Sequence, residues 1–316
     1  MKQSELKTIS ENLINTFEEA GKVSIDLYKK GLKIEIKEDS SPVSNGDLRV
    51  NELITNKIKN ITPNLPIVSE ETVDLNVRNT SKIFWLIDPI DGTKEYKSPV
   101  SNGDLRVNEL ITNKIKNITP NLPIISEETV DLNVKNKSKI FWLIDPIDGT
   151  KEYIAGKDEY TLNAALVINT VPVLGLVGVP KKNRLFFSYG PGESYLIEAG
   201  KTKKLNCAKQ QPAGKIVALS SVLKPSDIIL NKLKEYNVNS IVKMASSYKF
   251  CAIATGEYDI YAAKERANEW DYAAGHAVAQ NAGAIIKTLD EKPFLYGKED
   301  YRNPSLLIKR AEKLDV

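Results

Sequence analysis

The chain has 316 residues, of which 41% are hydrophobic and 27% charged, and 44 basic against 41 acidic residues leave a formal net charge of +3. Such a balance supplies no basic field for nucleic acid and no polybasic stretch for a membrane surface. Two cysteines, Cys207 and Cys251, make neither a disulfide framework nor a zinc set, and a single histidine, His276, excludes any multi-histidine metal site.

The N-terminus, MKQSELKTISENL, is polar and amphipathic rather than a signal peptide, and no apolar run approaches ~20 residues, so the expectation is a cytoplasmic chain without an integral membrane segment. Residues 3–30 place Leu6, Ile9, Leu13, Phe17 and Ala20 on one helical face, and Gly31 ends the helix. Leu32 to Lys37 alternates like a strand, and SSPVSNGD turns.

An internal repeat follows. Ser41–Tyr96 recurs as Ser98–Tyr153, with Lys97 between, and the copies differ only at Val68/Ile125, Arg78/Lys135 and Thr80/Lys137. Solenoids need about three or more units with atypical ends, so two near-identical copies indicate a tandem duplication instead. The whole chain, 1–316, then reads as one domain in two lobes, about 1–180 and 181–316, with 41–97 a surplus copy of 98–153. Within the second copy, DLRVNELITNKIKN is a helix turning Val107, Leu110, Ile111, Ile115 and Ile118 inward, and Ser101 with Asp104 forms a capping box. LPIISEE reads as a short strand reaching Glu127 and Glu128, and FWLIDPIDGT closes the copy.

Beyond it, TLNAALVIN, VPVLGLVGVP, RLFFSYG and SYLIEAG read as consecutive antiparallel strands. KIVALSS is a buried strand, KPSDIILNKLKEYN a helix started by Ser226, and SSYKFCAIATGEYDIYAA a short helix and a strand. EWDYAAGHAVAQNAG is helical up to Gly283 with a structural His276 inside it, and AIIKTLD is a further strand. Helices and strands interleave without a regular βαβ rhythm, which favours a layered α/β fold over a Rossmann fold or barrel.

The chemistry gathers at Phe141–Thr150. Four apolar residues form a buried strand that runs out at Asp145; Pro146 cannot continue a ladder, Gly149 permits a sharp turn, and Asp148 follows Asp145 by three residues. Two carboxylates aimed at one point repel unless a cation lies between them, and an all-oxygen ligand set puts Mg²⁺ first. The Gly149 and Thr150 amides are placed to meet an anion. Asp104, Glu127 and Asp271 also stand at element ends. Each taken singly reads as a cap or a solvated acid, Asp271 as the N-cap of its helix; together they make a two-metal constellation.

DPIDGT, the SEE ahead of it and the later WDYAAGHAV resemble the inositol monophosphatase superfamily, and SSPVSNGD, WLIDPIDGTKEY, SSYKFC and EWDYAAGHAV resemble its bacterial 3'(2'),5'-bisphosphate nucleotidase branch. The resemblance implies an α-β-α-β-α sandwich with the site between two lobes. It implies a first metal on Glu127, Asp145 and the Ile147 carbonyl, a second on Asp145, Asp148 and Asp271, and a third beside Glu128, hence two or three Mg²⁺ per site. By the same resemblance Thr150 and Asp104 orient and deprotonate the attacking water. Gly149 and Thr150 cradle the phosphate, and Ser246 and Lys249 help to bind a nucleotide; the competing reading of Lys249 is an exposed helical lysine. The implied substrate is a small phosphate ester, adenosine 3',5'-bisphosphate, with an inositol or sugar phosphatase as the alternative because Leu223 and Ala263 depart from the branch's usual histidine and arginine. A catalytically inactive metal-binding or structural product of the duplication is the alternative of another class. The family's assembly is monomer or homodimer, its variant location the inner-membrane periphery.

Asp88, Asp91 and Glu70 duplicate Asp145, Asp148 and Glu127, and Asp47 duplicates Asp104. Only the second copy runs directly into the following strand, whereas the first is joined to the N-terminal helix, so a crossover could draw Asp47 and Glu70 from one copy and the turn from the other. The polar connections DLNVRNTSK and DLNVKNKSK can loop out a copy, because closure entropy grows slowly with length. The surplus copy is expected to be poorly packed and to invite domain swapping.

Overall fold

The computed structural model describes residues 1–32, 67–69, 85–87, 101–131, 136–207, 215–265, 267–311 and 314, with 67–69 and 85–87 described by their backbone alone. Apart from Leu32, the strand expected over 32–37 lies outside the described residues, as do Asp47, Glu70, Asp88 and Asp91.

Alternation along one strand explains the layering. In β4 (Ile140–Asp148), Trp142 and Ile144 join a core with helix α1 (Gln3–Lys30) and helix α2 (Asn102–Ile118), while Phe141 and Leu143 join a core on the opposite face. That alternation is the two-residue period of a strand buried on both sides. β4 belongs to a seven-stranded sheet in the order β3-β4-β5-β6-β7-β8-β9. Its other members are β3 (Ile124–Ser126), β5 (Thr161–Ile168), β6 (Val171–Val179), β7 (Arg184–Ser188), β8 (Ser194–Glu198) and β9 (Lys201–Lys204). β3 pairs parallel to β4, and the remaining pairs are antiparallel. A short helix α3 (Thr150–Ile154) leaves the end of β4.

The second sheet has the order β11-β10-β12-β14-β13, from β10 (Val217–Ser220), β11 (Ser240–Lys243), β12 (Ile260–Ala263), β13 (Ile285–Lys287) and β14 (Leu306–Lys309). Between the sheets lie α5 (Tyr248–Ala254) and α6 (Glu269–Asn281), in one core with Phe186 and Val177 of the first sheet and Leu219, Tyr261 and Ile308 of the second. The outer face of the second sheet is covered by α4 (Asp227–Lys234) through Ile229 and Leu233. The order of layers is therefore α-β-α-β-α.

Ser101 caps α2 as expected, accepting from the Gly103 amide at 3.1 Å. The helix carrying Asp271 begins elsewhere: Asn268 is its N-cap, and Asp271, the third helical residue, accepts from the Asn268 amide at 2.6 Å. The box needs an acid at that third position, which frees Asp271's other oxygen to point away from the helix end. β9 and β11 carry no burial alternation, every residue of both being exposed, which is why their sequences give no strand pattern. His276 is structural: its ring lies within 3.0 Å of the Tyr296 hydroxyl and 2.6 Å of Gln280 Oε1, and burial lowers its pKa to about 4, so it stays neutral.

β1 (Ile67–Ser69) and β2 (Trp85–Ile87) form a separate parallel pair, in the register Ile67↔Trp85, Val68↔Leu86, Ser69↔Ile87. Among the described residues no helix is long and apolar enough to cross a membrane.

Candidate metal centre

Asp145 and Asp148 are three residues apart, an odd offset that would put them on opposite faces of a regular strand. The pairing with β5 steps from Asp145↔Asn163 to Asp148↔Thr161, so three steps on β4 answer two on β5. That bulge adds one residue to β4 and returns Asp148 to the side of Asp145. Pro146, which has no amide hydrogen for the ladder, sits inside the irregularity. Gly149 then takes φ 87°, a left-handed conformation that suits glycine, and starts α3.

Neighbouring elements deliver the other acids. The Glu127 amide donates to the Ile144 carbonyl at 3.0 Å, extending the β3–β4 pairing by one residue and setting Glu127 beside Asp145. Glu127, Asp145 and Asp271 each present a carboxylate oxygen within 4.8 Å of the other two. Asp148 stands next to this group; its Oδ2 accepts from the Ser247 amide and, at 3.4 Å, from Thr161 Oγ1. Asp104 is fully buried on α2, where Oδ2 accepts from the amide and hydroxyl of Ser101 at 2.8 and 2.6 Å. Thr150 Oγ1 lies 3.1 Å from both Asp104 Oδ1 and the Ile147 carbonyl oxygen.

Burial and mutual repulsion raise the whole set. Burial first, then the charge of Asp271, holds Glu127 well above the usual carboxylate range. Burial and then Glu127, Asp148 and Asp271 do the same to Asp145. Burial pushes Asp104 and Asp148 up to about 6, the latter opposed by Lys249, and pushes Asp271, with help from Asp148, up to about 7. Both oxygens of Asp145, 1% exposed, accept from no amide or hydroxyl and meet only the carboxyls of Glu127 and Asp271. A buried carboxylate with neither donor nor counter-charge is costly. Among the described residues the charges that weigh most on Asp145 are the carboxylates Glu127, Asp148 and Asp271, so a hard divalent cation fits the donor set.

Ser246 and Lys249 are at the same place. Ser246, in a left-handed conformation at φ 53°, donates from its hydroxyl to the Glu159 carbonyl, and Lys249 Nζ donates to the Ser246 carbonyl while lying 5.3 Å above the Tyr261 ring. Lys249 is only 4% exposed, so the reading of an exposed helical lysine does not hold. Sequence patterns pass over Ser247, Thr161 and Asn163, which join β5 to the start of α5: Ser247 Oγ donates to Asn163 Oδ1 at 2.6 Å and lies 2.9 Å from Thr161 Oγ1. Small polar residues in apolar strands were the available signal. Leu223 is 82% exposed and Ala263 is buried at the end of β12.

Buried and half-buried acids converging past the bulged end of a strand, between two layered sheets, define a carboxylate centre suited to divalent metal. The chain belongs to the inositol monophosphatase family, whose model matches residues 5–99 and 95–314. It is 34% identical over 227 residues to the 3'(2'),5'-bisphosphate nucleotidase CysQ of Escherichia coli K12, covering 69% of this chain and 91% of that protein. Against the nucleotidase of the same name from Haemophilus influenzae the identity is 28% over 229 residues, covering 70% of this chain and 84% of that protein. CysQ from Bacteroides thetaiotaomicron, a solved bacterial member of the family, superposes with a TM-score of 0.57 at 31% identity, over 66% of this chain and 83% of that one. The suhB protein of Bartonella henselae, at 14% identity, shares the fold with a TM-score of 0.62 over 96% of this chain and 93% of that one.

Proposed function

We propose that the chain is a Mg²⁺-dependent phosphomonoesterase of the 3'(2'),5'-bisphosphate nucleotidase type, which removes the 3'-phosphate of adenosine 3',5'-bisphosphate to give AMP and phosphate. The observation that carries the reading is the buried Asp145 carboxyl that meets only the acids Glu127 and Asp271, in a chain 34% identical to nucleotidases of that name. Glu127, Asp145 and the Ile147 carbonyl would hold one Mg²⁺, Asp145, Asp148 and Asp271 a second, and Glu128 would support a third. Mg²⁺ at such a site neutralises phosphate charge and makes bound water a better nucleophile.

The chain's own residues do the rest. Thr150 Oγ1 gives its hydrogen to Asp104 Oδ1, which leaves an oxygen lone pair of Thr150 to hold and aim a water. Asp104, raised to about 6 by burial, is basic enough to draw that water's proton through the Thr150 hydroxyl near neutral pH. The amides of Gly149 and Thr150 grip the phosphate, and Lys249, held under Ser246 and beside Asp148, answers the negative charge of the ester. The cut is O–P: water adds to phosphorus and yields its proton towards Asp104, the 3'-oxygen leaves and takes a proton from solvent water, Asp104 returns its proton to solvent, and AMP and inorganic phosphate result.

Phosphate release from adenosine 3',5'-bisphosphate, inositol 1-phosphate and a sugar phosphate, with and without Mg²⁺, tests this. Release is expected to be Mg²⁺-dependent and fastest on the bisphosphonucleotide. Asp271 has no duplicate in the chain, and Asp271→Asn is expected to reduce release to background. Preference for inositol 1-phosphate would transfer the reading to an inositol phosphatase, the outcome to which the Leu223 and Ala263 departures point.

A further inference from the structure

The two strand pairs of the repeat are interchangeable in their sequence and in their register. β1 and β2 pair parallel as Ile67↔Trp85, Val68↔Leu86 and Ser69↔Ile87; β3 and β4 pair parallel as Ile124↔Trp142, Ile125↔Leu143 and Ser126↔Ile144. Position for position these are the same residues, Val68 against Ile125 excepted. β3 is the terminal strand of the seven-stranded sheet, so the β3–β4 pair is attached to the rest through β5 alone. The sequence running out of β2, Asp88-Pro-Ile-Asp91-Gly-Thr, is the one running out of Ile144. The family pattern likewise covers the chain in two stretches, 5–99 and 95–314, which meet where the copies meet.

We infer that the β1–β2 pair is a second, exchangeable end for the seven-stranded sheet, able to take the place of β3–β4 beside β5 within the same chain. The physical case is degeneracy. Seating either copy loops out a segment of the same length, so the closure entropy does not separate the two arrangements. Nearly every contact made to α1, β5 and α6 is kept, because the side chains are the same. The one difference in the described core is Ile125, 7% exposed in the core between the sheets, for which exchange substitutes Val68. Loss of one buried methylene sets the seated second copy ahead by about 2- to 10-fold. The exchanged arrangement is thus a minority, and it rebuilds the end of the sheet that supports the metal centre.

A cross-link that needs neither metal nor substrate reads the two arrangements. Leu143 is the partner of Ala165 on β5, and Leu86 is the residue of β2 that would take its place. Facing residues of an antiparallel pair lie within disulfide reach. The full chain carrying Leu86→Cys, Leu143→Cys and Ala165→Cys, so that both copies lose the same side chain, is refolded in a glutathione redox buffer and mapped by mass spectrometry of peptides. It is expected to form an intrachain disulfide from position 165 to position 86 at a yield about 2- to 10-fold below that to position 143. Adding Val68→Ile is expected to bring the two yields together. A bond from position 165 to position 143 with none to position 86 overturns the inference, and so does a bond to position 86 found only between chains.

A second measurement rests on the phosphatase reading and covers the case in which the cysteine variants fail to refold. Asp145→Asn is expected to keep between about a tenth and a third of wild-type phosphate release, where Asp271→Asn keeps none. Equal loss in both variants overturns the exchange but leaves the phosphatase intact. A wild type that releases no phosphate overturns the phosphatase, and the cross-link still decides the exchange.

Discussion

At the scale of single residues, the centre depends on one extra residue in β4. Without the bulge, Asp145 and Asp148 would face opposite sides of the sheet, and no choice of rotamer would bring both to Asp271. The sequence announces the acids, the proline and the glycine; the two-for-three pairing with Thr161 and Asn163 belongs to β5 and cannot be read from β4. Thr150 is the most economical residue to test. Its hydroxyl sits between Asp104 and the Ile147 carbonyl, and its removal leaves both Ser101 bonds to Asp104 in place. Thr150→Ala is therefore expected to lower kcat by about 10²-fold or more, the usual worth of a positioned proton path, and to change the melting temperature little. Thr150→Ser should recover most of the rate. Steady-state kinetics beside a thermal scan check both statements, and a large loss of stability would mark Thr150 as structural.

At the scale of elements, α6 carries Asp271 and must approach the first sheet closely. Gly175 on β6 makes that approach possible: a Cβ there would lie 2.4 Å from the Ala274 carbonyl oxygen and 2.9 Å from the Ala277 side chain. Backbone on one side and backbone on the other leave nothing flexible to yield, so Gly175→Ala must push α6 outward. Overpacking of this kind costs about 1–3 kcal/mol, which for a chain of this size lowers the melting temperature by roughly 2–4 °C per kcal/mol. Because Asp271 moves with the helix, the Mg²⁺ concentration for half-maximal activity is expected to rise with it. A metal titration of activity on the folded variant reads that shift, and an unshifted midpoint would show that α6 and the centre are independent. The helices and the long strands were legible because one or both faces are buried and their periods are clean. Edge strands β9 and β11 were not, since a strand exposed at every position has no period to display.

At the scale of the whole molecule, five buried or half-buried acids make the metal-free fold sensitive to pH. Unfolded carboxyls titrate near ~4, whereas in the metal-free fold Asp104 and Asp148 are at about 6, Asp271 at about 7, and Glu127 and Asp145 are well above the usual range. The folded chain then holds more protons than the unfolded one, so its stability falls as pH rises from the unfolded value through the folded ones. His276, lowered to about 4 from 6.5, acts with the opposite sign, an effect that fades as pH rises past 6.5. Between about pH 6.5 and 8 the acids, more numerous and raised into or above that window, set the direction. In EDTA the melting temperature is expected to fall across that window, and Mg²⁺ to raise it more at pH 8 than at pH 6.5, because binding needs the carboxylates ionised. Calorimetric scans at the two pH values check this; a melting temperature flat in EDTA would mean that the five carboxyls titrate normally.

The order of residues by itself determined which groups carry the chemistry, where most helices and strands run, the family pattern, and the existence of two equal copies. These are local properties: a period, a turn residue, a motif, a repeat. Only the tertiary structure decided that Asp271 sits third in its helix rather than capping it, that Lys249 is buried, that β5 forces the bulge, and that the second copy, not the first, stands beside β5. Each of those is fixed by a neighbour distant in the chain, through packing and pairing that no single stretch encodes.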